Sequence, residues 1–262
     1  MSLIELSRRM LAKGLAKHQA TQAPRQDNGL PYGAKIGSLI EVPRASFALL
    51  DGSLMKVPAA AQMQIESVGR VRLAADPSIE LYRLYTSKGD ARTDAGQSFL
   101  QVLMDNGQPV EATYYQQLFR TLPTSVEEQE AYLGKGFGLG ELYYTMAADQ
   151  LAMCGLSDTQ IAAMLGETEA IEFLRDTPTT VQVDYVPPYV AIENRLDDAA
   201  GDNGLRQRMH FMPYTRELPC GGRENLLISF EVVESVNGLR APAVHVDYLA
   251  GLTLEPQKIK VL

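Results

Sequence analysis

The chain has 262 residues, of which 45% are hydrophobic and 21% charged, an ordinary composition for a globular protein that buries its own core. A net charge of -8 disfavours non-specific nucleic-acid binding, because that affinity comes largely from Lys and Arg on phosphates. No apolar run is long enough to span a membrane, and two cysteines, Cys154 and Cys220, make no disulfide framework and predict reduced thiols in a cytoplasmic protein.

Residues 1–20 predict a basic amphipathic helix. Apolar side chains recur near one face, and four cations, Arg8, Arg9, Lys13 and Lys17, accompany them. Charge interrupts the apolar pattern, so the segment does not resemble a secretory signal. A polar linker follows, and residues 1–28 together form a predicted helix-and-linker region that precedes compact folding.

Residues 29–122 predict an antiparallel β unit. Asn106-Gly107 supplies the positive φ angles of a tight hairpin, and Asp51-Gly52 predicts a second hairpin turn. Gly69 interrupts a long strand and predicts a bulge or a bend. Apolar residues on both faces of Ile79–Tyr85 indicate a sheet that is covered on both sides. The predicted strands are Ser38–Val42, Ser46–Leu50, Leu54–Val57, Gln62–Leu73, Ile79–Thr86, Phe99–Met104 and Val110–Gln117.

Residues 123–178 predict a helical insert. Ser125 and Glu128 have the spacing of a capping box, which predicts a short acidic helix. Three further helices are predicted at Glu141–Gly155, Ser157–Leu165 and Glu167–Arg175.

Strands return in residues 179–262. They are predicted at Val181–Tyr185, Tyr189–Asn194, Arg206–Thr215, Asn225–Glu234, Ala243–Leu249 and Ile259–Leu262. Strands and helices are segregated along the chain, so we predict an α+β fold, mainly antiparallel β, with two strand-rich units and a helical insert between them. Whether the two β units make one domain or two stays open.

Two motifs in the insert have a functional and a structural interpretation. The glycines at 134, 136, 138 and 140 lack the spacing of a dinucleotide fingerprint, so a helix end and connection is favoured over a ligand loop. Residues 157–175 resemble a helix-turn-helix, but its second helix would place Glu167, Glu169 and Glu172 against phosphates. We therefore expect no nucleic-acid partner.

His245 and Asp247 are the candidate site residues, because side chains two apart on a strand share a face. With His210 they would make a plausible metal-ligand set or acid–base group, although nothing in the sequence brings His210 near them. A structural strand histidine is the favoured interpretation, so no catalytic residue, metal or cofactor is assigned. Cys154 is expected to be buried and unreactive, and Cys220 exposed in a turn near Arg223.

Three blocks of sequence resemble the YjfK-like family of uncharacterised bacterial proteins, a domain of unknown function (DUF2491). The first begins Gly29-Leu-Pro-Tyr-Gly33 and runs to Glu41. The second joins residues 65–70 to Leu81-Tyr-Arg-Leu-Tyr85 and residues 99–102, and the third combines residues 214–218, 224–229, 251–254 and 258–262. The resemblance covers residues 29–120 and 205–262, with a poor match near 140–180. It implies no known activity or site residues, and a link to an envelope or membrane stress system.

We expect a non-enzymatic cytoplasmic binding or accessory protein with a protein partner. The alternative is a small-molecule or metal-dependent enzyme that uses His245 and Asp247, with His210 as a further candidate. The cationic segment, residues 1–20, offers a route to peripheral association with an anionic membrane, because basic side chains near such a surface are attracted to it.

Overall fold

The computed structural model describes residues 24–58, 60–90, 95–177, 183–239 and 241–262. The predicted helix at residues 1–20 lies outside them. The strands are β1 (Leu39–Glu41), β2 (Gln62–Gln64), β3 (Ser67–Leu73), β4 (Glu80–Asp90), β5 (Ala95–Asp105), β6 (Gln108–Thr121), β7 (Tyr143–Ala147), β8 (Ala170–Arg175), β9 (Tyr189–Leu196), β10 (Gly204–Glu217), β11 (Arg223–Ser235), β12 (Ala243–Leu254) and β13 (Lys260–Val261). The helices are α1 (Val126–Glu130), α2 (Ala148–Met153) and α3 (Asp158–Leu165). Single 3-10 segments occupy Pro31–Gly33, Arg44–Leu49 and Pro256–Lys258.

Eight strands close into an antiparallel barrel. The order around the ring is β3-β4-β5-β6-β12-β11-β10-β9, and β9 pairs again with β3. Strands β3 to β6 form one meander of consecutive strands and β9 to β12 form another, and two seams, β6–β12 and β3–β9, join them. The predicted α+β fold with two strand-rich units was therefore wrong: the two runs of strands are halves of one barrel, and the helices within the described residues are short.

The barrel is packed on both faces, as expected for β4. Inside, one end is filled by apolar side chains that include Tyr85, Phe99, Tyr115, Phe211 and Leu249. Outside, the segment from residue 30 to 65, the β13-β1-β2 sheet and the insert cover the apolar outer side chains of the strands. Leu84 and Tyr85, neighbours on opposite faces of β4, are both completely buried. No helix within the described residues is long and apolar enough to cross a membrane.

The insert contains strands that the sequence analysis assigned to helices. Tyr143–Ala147 of the predicted helix Glu141–Gly155 forms β7, and the predicted helix Glu167–Arg175 ends as β8, which pairs with β7 and β10. In β8, Ile171, Phe173 and Arg175 are buried and alternate with exposed residues, a period of two that marks a strand. Because the second helix of the proposed helix-turn-helix is this strand, that motif is absent from residues 157–175.

Four local predictions can be compared directly with the structure. The capping box of Ser125 and Glu128 at the start of α1 is confirmed. The predicted strand Ser46–Leu50 is wrong, because residues 44–49 form a 3-10 segment, and Leu54–Val57 is not a strand. Gly69 does not cause a bulge: its β3 pairing is regular, and a Cβ there would lie 1.8 Å from Glu193 Oε1. Gly69 therefore makes room for a carboxylate inside the barrel.

The β5–β6 turn generates a stability prediction. Asn106 and Gly107 have φ values of 49° and 75°, as a type I′ turn requires. Gly107→Val should lower the free energy of unfolding by roughly 1–3 kcal/mol, since a β-branched residue is strained at positive φ. Chemical denaturation measures the change, and Gly107→Asn is the matched control because Asn tolerates this region. Equal stability of the two variants would contradict the turn assignment.

Candidate functional site

A layer of buried polar side chains crosses the barrel interior next to its apolar end. Strand alternation places residues of odd number on β4, β5, β9, β10, β11 and β12 inside the ring, and cross-strand pairs such as Glu193–Gln207 and Glu231–His245 bring the polar ones together. Among the buried polar residues, the members of this layer are Arg83, Gln97, Glu193, Arg195, Gln207, Ser229, Glu231, His245 and Asp247. A cluster of ionisable groups inside a closed barrel is a candidate functional site.

Arg83 and Glu193 form the deepest ion pair. Arg83 Nη1 lies 2.9 Å from Glu193 Oε2, and the Tyr85 hydroxyl donates to Glu193 Oε1 at 2.8 Å. Burial raises the pKa of Glu193 against the opposing effect of Arg83. The Arg195 guanidinium lies 5.0 Å from the centre of the Tyr85 ring and bonds Asp197 at 3.0 Å, so each buried cation has an anion beside it.

Asp247 is completely buried and accepts four hydrogen bonds. Arg120 donates twice, at 2.6 and 2.7 Å, and the side-chain amides of Gln97 and Gln117 donate at 2.9 and 3.0 Å. Burial raises the pKa of Asp247, but the bonds from Arg120 and the nearby His245 outweigh it and hold the pKa below its usual value. Asp247 is therefore an ionised carboxylate with both oxygens already engaged.

His245 lies between two carboxylates. Its Nε2 is 3.3 Å from Glu231 and 3.5 Å from Asp247, although neither contact has the geometry of a hydrogen bond. Burial lowers the pKa of His245, but the two carboxylates outweigh burial and raise it to about 9. Glu231 in turn accepts from Gln207 at 2.5 Å and from Ser229 at 2.8 Å. The imidazole is thus a buried cation at neutral pH.

Glu231, His245 and Asp247 are close enough to hold a metal ion, with one ligand atom of each within 4.8 Å of the others. The donor chemistry opposes that use. Each oxygen of Asp247 already accepts two hydrogen bonds, so a metal ion would have to displace donors such as Arg120. The arrangement fits a compensated ion-pair network better than a metal site.

The structure brings together two of the three candidate residues. His245 and Asp247 share the inner face of β12, as predicted. His210 does not join them, because it lies on the outer face of β10 with its ring 6.2 Å from that of Phe230. The sequence analysis missed Arg83, Glu193 and Glu231. The sequence pattern that could have identified them is a charged residue at an inward position of an otherwise apolar strand.

A cavity of about 720 Å³ lies at the polar end of the barrel. Of the described residues that line it, Lys88, Arg120, Arg195 and His245 are cationic and none is Asp or Glu. Gln207 presents a buried polar atom, Oε1, without a hydrogen-bond partner among the described residues. Buried polar atoms are normally satisfied, so this oxygen indicates a place for a bound molecule or ordered water.

The two cysteines differ in burial and therefore in reactivity. Burial raises the pKa of Cys154 to about 12, which keeps this thiol protonated and unreactive at neutral pH. Cys220 is exposed, as predicted.

The glycines of 134–140 follow α1, and Gly138 and Gly140 have positive φ angles of 71° and 112°.

Comparison with known proteins gives a family without an assigned activity. The model of the family described as "Protein of unknown function (DUF2491)" matches residues 10–260, including the insert. A search of curated proteins and a search of solved structures found no match.

The raised pKa of His245 predicts a pH-dependent stability. A pKa raised from 6.5 to about 9 stabilises the fold fully below pH 6.5, and this contribution is lost as the pH rises through 9. The shift corresponds to roughly 3 kcal/mol in the free energy of unfolding. Denaturation at pH 6, 8 and 10 should therefore show wild type losing more stability with pH than His245→Gln. Parallel pH profiles of the two proteins would show that His245 is not a buried cation.

Proposed function

The chain belongs to the DUF2491 family, whose description assigns no activity, and from the barrel we propose that it is a binding protein for a small organic anion. The observation that carries this proposal is the cationic lining of the cavity in a chain whose net charge is -8. An eight-stranded barrel can hold one small ligand at its mouth, and a volume of 720 Å³ falls in the usual range for small-molecule sites.

The buried carboxylates lie deeper in the barrel than the cationic side chains that line the cavity. Asp247 is completely buried, whereas the Arg120 side chain bonded to it remains 39% exposed. Arg195 likewise lines the cavity while its Nε bonds Asp197. A carboxylate or phosphate in the cavity would therefore meet oriented guanidinium groups, which suit planar anions.

A binding role also accounts better for the chemistry than the enzyme alternative. An acid–base pair of His245 and Asp247 would need a proton to move at neutral pH. The pKa of His245 is raised to about 9 and that of Asp247 is lowered, so the two groups stay charged. Groups fixed in their charged states suit electrostatic recognition.

Calorimetric titration with succinate, citrate and inorganic phosphate tests the proposal, with uncharged succinamide as the ligand control. We expect saturable binding of at least one anion, weakened by salt, and no binding of succinamide. Lys88→Gln should weaken binding by about fivefold, because one exposed charge contributes on the order of 1 kcal/mol. Lys260→Gln, a lysine on β13 away from the cavity, is the matched control. Binding of none of the three anions, or equal affinity of the two variants, would overturn the proposal.

Peripheral association with an anionic membrane is a second candidate, and the position of residues 25–28 supports it. Gln26 bonds Ala199, and Arg70 donates to the carbonyl of Asn28, so the chain enters the barrel beside the outer faces of β3 and β9. Arg72 and Arg206 are exposed there and make no side-chain hydrogen bond or ion pair with the described residues. The cations of residues 1–20 would add to this surface at about 1 kcal/mol each near an anionic bilayer.

Deletion of residues 1–22 tests this second candidate. We expect an unchanged melting temperature and loss of co-sedimentation with vesicles that contain phosphatidylglycerol, because the barrel is complete without this segment. Neutral phosphatidylcholine vesicles are the control. A large fall in melting temperature would place the segment in the core, and undiminished co-sedimentation would leave it without the proposed role.

A further inference from the structure

A second cavity, of about 340 Å³, lies between the insert and the outer face of the barrel. Its floor is formed by Ile228 and Tyr248, which are paired across β11 and β12. Its walls are the end of the glycine run, β7 and the residues around α1 and α2, which contribute Ala131, Tyr132, Gly138, Leu139, Glu141, Tyr143, Tyr144, Thr145 and Gln150. It shares no lining residue with the cavity inside the barrel.

Three tyrosine rings meet at this cavity. The rings of Tyr144 and Tyr248 are 6.0 Å apart, and the hydroxyls of Tyr132 and Tyr248 are 3.1 Å apart. Phe119 stacks on Tyr248 at 4.3 Å and Phe230 stacks on Tyr132 at 5.9 Å. Neither phenylalanine is among the described residues that line the cavity, so the rings of Tyr132 and Tyr248 are each packed against a ring outside it.

The hydroxyl groups of these tyrosines are neutral and partly engaged. Gln150 donates to the Tyr144 hydroxyl at 2.8 Å, and burial raises the pKa of both Tyr144 and Tyr248. The phenols therefore stay protonated at neutral pH. What they offer a ligand is electron-rich ring surface, with a negative potential over each face.

Glu141 supplies the charge of the cavity. Among the described residues that line the cavity it is the one carboxylate, and none of them is Lys, Arg or His. Its Oε1 accepts a hydrogen bond from the Gly138 amide at 2.8 Å. A Cβ at Gly138 would lie 2.4 Å from the carbonyl oxygen of Ala131, and one at Gly140 would lie 2.1 Å from that of Val186. The glycine run thus permits the close packing that places Glu141 at the aromatic cavity.

We propose that this cavity binds a methylated ammonium group. Ring faces and a carboxylate together attract a cation, and a group with several methyls is easier to take out of water than a primary ammonium. A neutral apolar ligand would gain nothing from Glu141, and an anion would be repelled by it. This site is separate from the anion cavity and does not depend on its ligand.

The test compares choline and tetramethylammonium with 3,3-dimethyl-1-butanol, the uncharged isostere of choline. The chain has 12 tyrosines and no tryptophan, so tyrosine fluorescence can follow binding, and calorimetry gives the affinity. We expect both cations to bind at least tenfold more tightly than the isostere. Equal binding of choline and the isostere, or no binding of either cation, would overturn the proposal.

Single variants measure separately how much the ring of Tyr144, its hydroxyl group and the charge of Glu141 contribute to the affinity. Tyr144→Phe should keep the affinity for choline within about twofold, whereas Tyr144→Leu should lower it tenfold or more, because a cation interacts with the ring face. Glu141→Gln should lower it several-fold, and Glu80→Gln, an exposed acid on β4 that lines neither cavity, is the matched control. Should Tyr144→Leu fail to fold, the exposed Glu141 still decides the outcome: equal affinity of the two Glu→Gln variants would contradict the proposal.

Discussion

Charges enclosed by a closed sheet must be neutralised by other charges in the same enclosure, and this requirement organises the barrel interior. Arg83 lies against Glu193, Arg120 against Asp247, and His245 between Glu231 and Asp247. The Arg83–Glu193 and Arg120–Asp247 pairs each join one meander to the other, so they form only when the ring closes, whereas His245 and its two carboxylates belong to the second meander. Gly69 is also part of this arrangement, because Glu193 occupies the space that a side chain at position 69 would need.

The division of the interior into an apolar and a polar end links this packing to the proposed function. Aromatic side chains such as Phe99 and Tyr115 fill one end and hold the strands apart at a fixed spacing. The ion pairs lie above them, and the outermost cations face the cavity. If the cavity binds an anion as proposed, guanidinium groups held by strands and by the carboxylates behind them would be oriented before the ligand arrives, which would reduce the entropy lost on binding.

The sequence predicted features that depend on neighbouring residues. The Asn106-Gly107 turn and the Ser125 capping box have local chemistry, and the shared face of His245 and Asp247 follows from strand alternation. The sequence did not predict the ring, because the β3–β9 and β6–β12 seams join segments distant along the chain. For the same reason Glu231 was missed as the neighbour of His245. The strand β8 was missed because its acidic, helix-favouring residues outweighed its short alternation.

The two meanders also determine how the chain must assemble. Within each meander every strand pairs with its neighbour in sequence, so these contacts need only short loops to close. The seams pair residues such as Val71 with Glu193, which are far apart in the chain and therefore slow to meet. We therefore expect expulsion of water from Glu193 and Asp247 to coincide with closure of the ring, and the folding rate to respond more to substitutions at the seams than to those in the hairpin turns.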